Sequence, residues 1–195
     1  YLNSYLYNKK ITPSSIELLE YQPSPSLLDG LIKYDKKKIN IENYSLNEIW
    51  NNLNLKETEQ QNLNSFFWLF SLDLKSSKKD TQNVLYQWIN TNERYNSKNW
   101  KINIIAKRII AWISNSRHTY EDGNIDYKDK FNGIIKKQIN HLINEIEASE
   151  LINDKIIGCA AIILTGLSYP QNNNYLNTGL SLLKKLAKNS LDNDG

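Results

Sequence analysis

The sequence predicts an all-α protein, and three observations carry that expectation. From Tyr44 onward, one segment after another places apolar side chains at three- and four-residue steps, the period of an amphipathic helix. Polar loops separate these segments, and the last five helices follow one another over short connections, so they should stack as antiparallel αα-hairpins. Only one stretch reads as strand. Leu31, Ile32 and Tyr34 precede an Asp35–Lys38 turn and Ile39 and Ile41 follow it, which suggests a short β-hairpin near residues 31–41.

In order, residues 1–44 read as an N-terminal segment with a short helix and a possible hairpin, of which residues 1–26 are tethering material, and residues 45–195 as the helical domain. Thr12 before Pro13 is a helix-start signal that should launch a short helix with Ile16, Leu18 and Leu19 inward, ended by Pro23 and Pro25. Ser45 and Glu48 make a capping box for a short helix carrying Leu46, Ile49, Trp50 and Leu53. Thr58 to Leu74 follows as one helix whose wide apolar arc, Leu63, Phe66, Phe67, Trp68, Leu69 and Phe70, implies more than one neighbour. Asp80 should cap the next helix, with Val84, Leu85, Trp88 and Ile89 inward. Residues 99–118 form an amphipathic helix through Ile102, Ile105, Ala106, Ile109, Ile110 and Ile113. A loop around Gly123 leads into a long helix, Tyr127 to Glu150, whose Lys, Gln, Asn and Glu face should lie on the outside. From Ile156 to Leu167 the chain is apolar nearly all round, with Gly158, Ala160, Ala161 and Gly166 allowing close approach. This is the expected centrally buried helix. Tyr175 to Leu191 closes the series through Leu176, Leu180, Leu183 and Leu186. Trp88-Ile89 and Trp112-Ile113 each lead into a similar Asn- and Arg-bearing turn, and antiparallel packing should place those two turns at opposite helix ends.

Composition narrows the function classes. At 195 residues the chain can form one domain with its own core. Lysine supplies all but three of the 24 positive charges, and Asn, Ile and Lys are over-used, as an AT-rich genome produces. A net charge of +3 with interspersed signs makes no concentrated basic face, which argues against nucleic-acid binding. The Lys36–Lys38 run reads as a solvated turn. No segment approaches the ~20 apolar residues that span a membrane. Cys159 is alone, and His118 and His141 do not have metal-ligand spacing, so neither a metal nor another cofactor is implied. Without methionine, and with neither a signal-peptide pattern at YLNSYLYNKK nor a structural close at SLDNDG, the chain reads as a piece of a longer polypeptide whose compartment is open.

No nucleophile motif, Gly-rich phosphate loop or HExxH is present. What remains is an aromatic and polar inventory centred on residues 99–118. Trp100 and Trp112 offer flat faces suited to sugar rings, Arg108 suits a carboxylate, and His118 sits at a helix-to-loop border. We take Arg108, Trp112, Trp100 and His118 as the candidate substrate-binding residues. Each has an ordinary alternative: core packing for the tryptophans, an ion pair for Arg108 and helix capping for His118. His141 reads as structural.

A series of segments extends this picture. Gly30-Leu-Ile-Lys-Tyr is followed by Leu63-Asn-Ser-Phe-Phe-Trp-Leu-Phe-Ser-Leu-Asp-Leu74, Tyr86-Gln-Trp-Ile-Asn90, Trp100 and Lys107-Arg108-Ile-Ile-Ala-Trp-Ile113. Lys136-Lys-Gln-Ile-Asn-His-Leu142, Ala161-Ile-Ile-Leu-Thr-Gly-Leu167 and Leu191-Asp-Asn-Asp-Gly195 complete it. In order and spacing these resemble the heparinase II/III-like proteins, in particular their alphaproteobacterial branch, over roughly residues 26–195. The resemblance implies a bacterial protein in which a helical domain, an incomplete α/α toroid, precedes a C-terminal β-sandwich domain of the same chain. It also implies cleavage of an acidic, uronic-acid-containing polysaccharide by β-elimination. In that chemistry Asn or Arg neutralises the uronate carboxylate, Tyr or His removes the C5 proton, and Tyr protonates the leaving oxygen. The family's catalytic Asn, Tyr and His lie largely beyond the matched portion and are carried onto no residue here, so this portion is expected to be inactive alone. The alternative from the residues themselves is a non-enzymatic helical module that binds a glycan or a protein partner.

Overall fold

The computed structural model describes residues 1–20, 56–71, 77–171 and 173–193. The β-hairpin expected near residues 31–41, the helix expected after Ser45 and the boundary at residue 44 lie outside them. Every regular element among the described residues is helical. We number the α-helices α1 (Tyr5–Ile11), α2 (Glu57–Ser65), α3 (Lys78–Asn92), α4 (Ile102–Ser114), α5 (Ser116–Thr119), α6 (Ile125–Glu145), α7 (Ile152–Ser168) and α8 (Asn173–Asn193). Two 3₁₀ turns, Phe67–Ser71 and Ile146–Ala148, follow α2 and α6.

The first helix is not where Thr12-Pro13 points. The Ser4 hydroxyl accepts from the Tyr7 amide at 3.1 Å and opens α1 about two turns upstream. Thr12 closes it instead, in extended conformation, its hydroxyl donating to the Asn8 carbonyl at 2.7 Å. A residue before proline is driven out of the α region, and here that preference outweighs the N-terminal one. Ile16 and Leu18 are consequently exposed, and only Leu19 is buried. Residues 1–20 are also no tether. Tyr7 and Ile11 are fully buried, each contributing about 2 kcal/mol of apolar burial, and the Glu20 amide donates to the Ser168 carbonyl at 3.0 Å.

The expected helix from Thr58 to Leu74 breaks at Phe66, which adopts a left-handed conformation (φ 55°) and caps α2 through its amide to the Leu63 carbonyl. Aromatic packing explains the break. The Phe66 ring packs against both Trp88 and Trp112 at 5.7 and 5.1 Å, edge-on to each. Ser77, not Asp80, caps α3, accepting from the Asp80 amide at 3.3 Å. Asp80 then stands in the first turn, where its charge meets the positive end of the helix. The inward set Val84, Leu85, Trp88 and Ile89 is buried as expected. The Trp88 and Trp112 rings touch edge to face at 5.6 Å.

Two expectations about the later helices exchange places. The long helix α6 is central: α1, α3, α4 and α7 all pack on it, and Asn132, Lys136, Lys137 and Gln138, expected on the outside, are buried, while His141 is buried as a structural residue should be. The nearly all-apolar α7 packs mainly between α4 and α8, with a lighter contact to α6, leaving Ile152, Ile156 and Leu167 exposed on its remaining side.

The α7–α8 pair runs antiparallel, with Gly166 against Leu176 and Ile163 against Gly179 at one end and Lys185 paired with Glu147 at the other. A Cβ on Gly166 would lie 2.6 Å from the Leu176 Cα, which is backbone and cannot rotate away. Gly166→Ala is therefore expected to destabilise by about 3 kcal/mol, near the upper range for overpacking. Gly133, mid-way along α6, has only the Ile16 Cδ1 within reach at 3.8 Å. Gly133→Ala should therefore stabilise by about 0.5–1 kcal/mol. Urea denaturation of both variants checks the pair, and equal effects would refute the close approach.

Candidate functional site

The four candidates from residues 99–118 separate along α4. Trp100 precedes it and His118 follows it in α5, so a 13-residue helix, roughly 20 Å long, lies between them. No single groove takes all four. Three are also sealed: Arg108 and Trp112 are 0% exposed and Trp100 is 1%.

Arg108 explains why the sequence suggested a ligand and what it does instead. Its Nε donates to the Asn64 carbonyl at 2.7 Å, one Nη to the Asn99 carbonyl at 2.8 Å and the other to Gln138 Oε1 at 3.2 Å. The guanidinium carbon stacks 3.9 Å over the Trp88 ring. Burial pushes the Arg108 pKa well below its usual value. The carbonyl dipoles and the indole face stand in for a counter-ion. The expected ion pair with a neighbouring acid is replaced by a clamp that joins α2, α6 and the loop before α4.

Trp112 is the middle of an aromatic cluster, edge-on to Phe66 and Trp88 and stacked on Phe131 at 5.4 Å. Trp100 hydrogen-bonds through Nε1 to the Asn92 carbonyl at 3.3 Å and packs edge-on against His141. His118 is buried within α5, and its carbonyl accepts from Gln82 Nε2 at 3.4 Å.

Sequence reasoning missed the residues with the densest chemistry, the polar face of α6. Asn132 accepts from the Tyr169 hydroxyl at 2.7 Å and donates to the Tyr120 hydroxyl at 3.1 Å. Lys136 pairs with Glu17 at 3.2 Å and reaches the Ser15 carbonyl, and Lys137 donates to the Glu93 carbonyl at 2.7 Å. Burial lowers the pKa of both lysines. Asn140 donates to the Ile11 carbonyl and accepts from the Tyr175 hydroxyl. A row of polar residues three and four positions apart on one helix therefore bolts distant loops to the centre. The only local signal was the sheer number of polar residues on a helix long enough to pass through a core.

Tyr7 and His141 are the one close tyrosine–imidazole hydrogen bond among the described residues, at 2.7 Å from hydroxyl to Nδ1. The geometry assigns the protons. His141 Nε2 faces the Trp100 carbonyl at 3.2 Å, which only accepts, so Nε2 carries the hydrogen and Nδ1 accepts from Tyr7. Burial holds the His141 pKa down at about 4, so it is neutral near pH 7. Burial and nearby Glu145 raise the Tyr7 pKa well above its usual value. A phenol so disfavoured as an anion, and fully buried, is a structural donor rather than a base for an external substrate.

Among the described residues no group of His, Cys, Asp and Glu is placed to hold a metal ion, and no helix is long and apolar enough to cross a membrane. Compared with known proteins, the chain matches no family model, no curated protein and no solved structure.

Proposed function

We propose that this chain is the helical domain of a heparinase II/III-like polysaccharide lyase and is inactive alone. It would form part of an incomplete α/α toroid and act with a C-terminal β-sandwich domain on a uronic-acid-containing polysaccharide. The ordered series of family-like segments supports this reading, as does an all-helical architecture ending in an antiparallel pair. The observation that carries it is that ordered series of segments, and the burial of Arg108 and Trp112 fits a portion that is inactive alone. Two of the most family-like positions serve the frame, and β-elimination would then draw its acid and base from elsewhere in the protein. In the test, this chain and the full-length protein are incubated with a panel of acidic polysaccharides while the ultraviolet absorbance of unsaturated uronate ends is followed. Absorbance should rise only with the full-length protein. Product from this chain alone, or a gene without a β-rich domain after Gly195, would overturn the reading.

The second reading is a non-enzymatic helical module for a glycan or a protein partner. It is favoured by the burial of Tyr7 and His141, which leaves that tyrosine–histidine pair no access to a substrate. It expects no unsaturated product from the full-length protein on any polysaccharide in the panel. Tryptophan fluorescence then separates its two branches, since a glycan partner predicts a shift on titration with oligosaccharide and a protein partner predicts none.

A further inference from the structure

Where the 3₁₀ turn Ile146–Ala148 meets α7 and α8, a recess of about 230 Å³ opens between the two helices. Its origin lies in the residue pattern of the pair. At one end of the pair, Gly166 and Gly179 let the backbones approach closely. At the other end Cys159, Leu182 and Leu186 stand instead, with Ile146 below them, and the side chains leave a gap. The floor is apolar. Cys159 is fully buried and its thiol pKa is raised by burial, so it stays neutral and behaves as another apolar wall. The rim is charged: Lys155, Lys185 and Glu147, with Asn189 beside them. Lys185 and Glu147 pair at 2.7 Å with both side chains 60% exposed, an arrangement that holds its partners weakly. Two cations and one anion leave the rim with one positive charge to spare.

We propose that this recess is a binding site for a small amphipathic monocarboxylate, its apolar body on the Ile146–Cys159–Leu182–Leu186 floor and its head between Lys155 and Lys185. Size excludes larger ligands, since sites for drug-sized molecules begin near ~300 Å³, and an eight-carbon chain can lie along the floor with its head at the exposed rim. A bare inorganic anion would leave the floor uncovered. A sugar ring would meet no aromatic face, because no Trp or Tyr lines the space.

The test uses the full chain, with sodium octanoate, octanol and octylammonium as probes and backbone amide chemical shifts as the readout. Octanoate should shift the Cys159, Leu182 and Lys185 amides saturably and bind roughly fivefold tighter than octanol, the upper increment of one exposed charge contact. Octylammonium should be the weakest. The rim variant Lys155→Gln/Lys185→Gln, which leaves the core untouched, should bring octanoate to within roughly twofold of octanol while circular dichroism stays unchanged. Absent or diffuse shifts at millimolar octanoate would overturn the proposal. Equal binding of octanoate and octylammonium, or a rim variant that keeps the full preference for octanoate, would overturn it as well.

Discussion

Replacing Arg108 with alanine is expected to destabilise the protein by about 4 kcal/mol, in the range measured when one partner of a buried charged network is deleted. The substitution removes three hydrogen bonds and the stack on Trp88, and it leaves Gln138 Oε1 in the core and the half-buried Asn64 and Asn99 carbonyls without their donor. Unsatisfied buried acceptors cost about 1–3 kcal/mol each, which is why the loss exceeds that of a packing defect. Arg108→Lys should recover little. An ammonium on a single stem cannot reach two carbonyls and an amide from one position, whereas the guanidinium fork does so without strain. Urea denaturation followed by circular dichroism measures both. A loss under 1 kcal/mol for Arg108→Ala would show that the clamp does not hold the core, and would reopen the case for Arg108 as a ligand-contacting residue.

Lowering the pH from 6.5 to 4 should cost about 3 kcal/mol of stability through His141 alone. In the unfolded chain this imidazole titrates at its ordinary value of 6.5, whereas in the folded protein burial holds it at about 4. Between those values the unfolded state binds the additional proton, so stability falls as the pH falls. Above 6.5 both states are neutral and the contribution is constant, and below about 4 the loss is complete. Each pH unit in the window is worth about 1.4 kcal/mol. Structurally, a second proton would go on Nδ1 and turn the acceptor of the Tyr7 hydroxyl into a donor, loosening α1 from α6. The measurement is the difference in urea midpoint between wild type and His141→Gln from pH 7.5 to 4, which subtracts the carboxylates common to both. The variant should be less stable at pH 7 and show a flatter profile. Parallel profiles would mean that His141 titrates in the folded state as it does in water.

The helices were legible because their determinants are local. Val84, Leu85, Trp88 and Ile89 share one face by spacing alone and are buried together, as are Ile105, Ile109 and Ile113 on α4. Helix ends were read less well, because capping signals compete. Thr12-Pro13 satisfies the pattern of a start and of a stop, and only the surroundings of Tyr7 and Ile11 decide between them. Of the candidate site, the identities of Arg108, Trp100, Trp112 and His118 were legible but their surroundings were not. An arginine one turn before a tryptophan looks the same in a groove and in a core until the Asn64 and Asn99 carbonyls are seen beside it.

The sequence by itself determined that the chain is helical, where most of the helices run and which residues share a face. Tertiary structure alone decided which face meets water. The polar side of α6 points inward because Tyr7, Glu17, Glu93 and Tyr169 supply its partners, and α7 keeps apolar residues exposed because α4, α6 and α8 leave one side of it uncovered. Burying a polar group is tolerable only when a hydrogen-bond partner arrives with it. Those partners come from more than thirty residues away in the sequence, where a helical period carries no information about them.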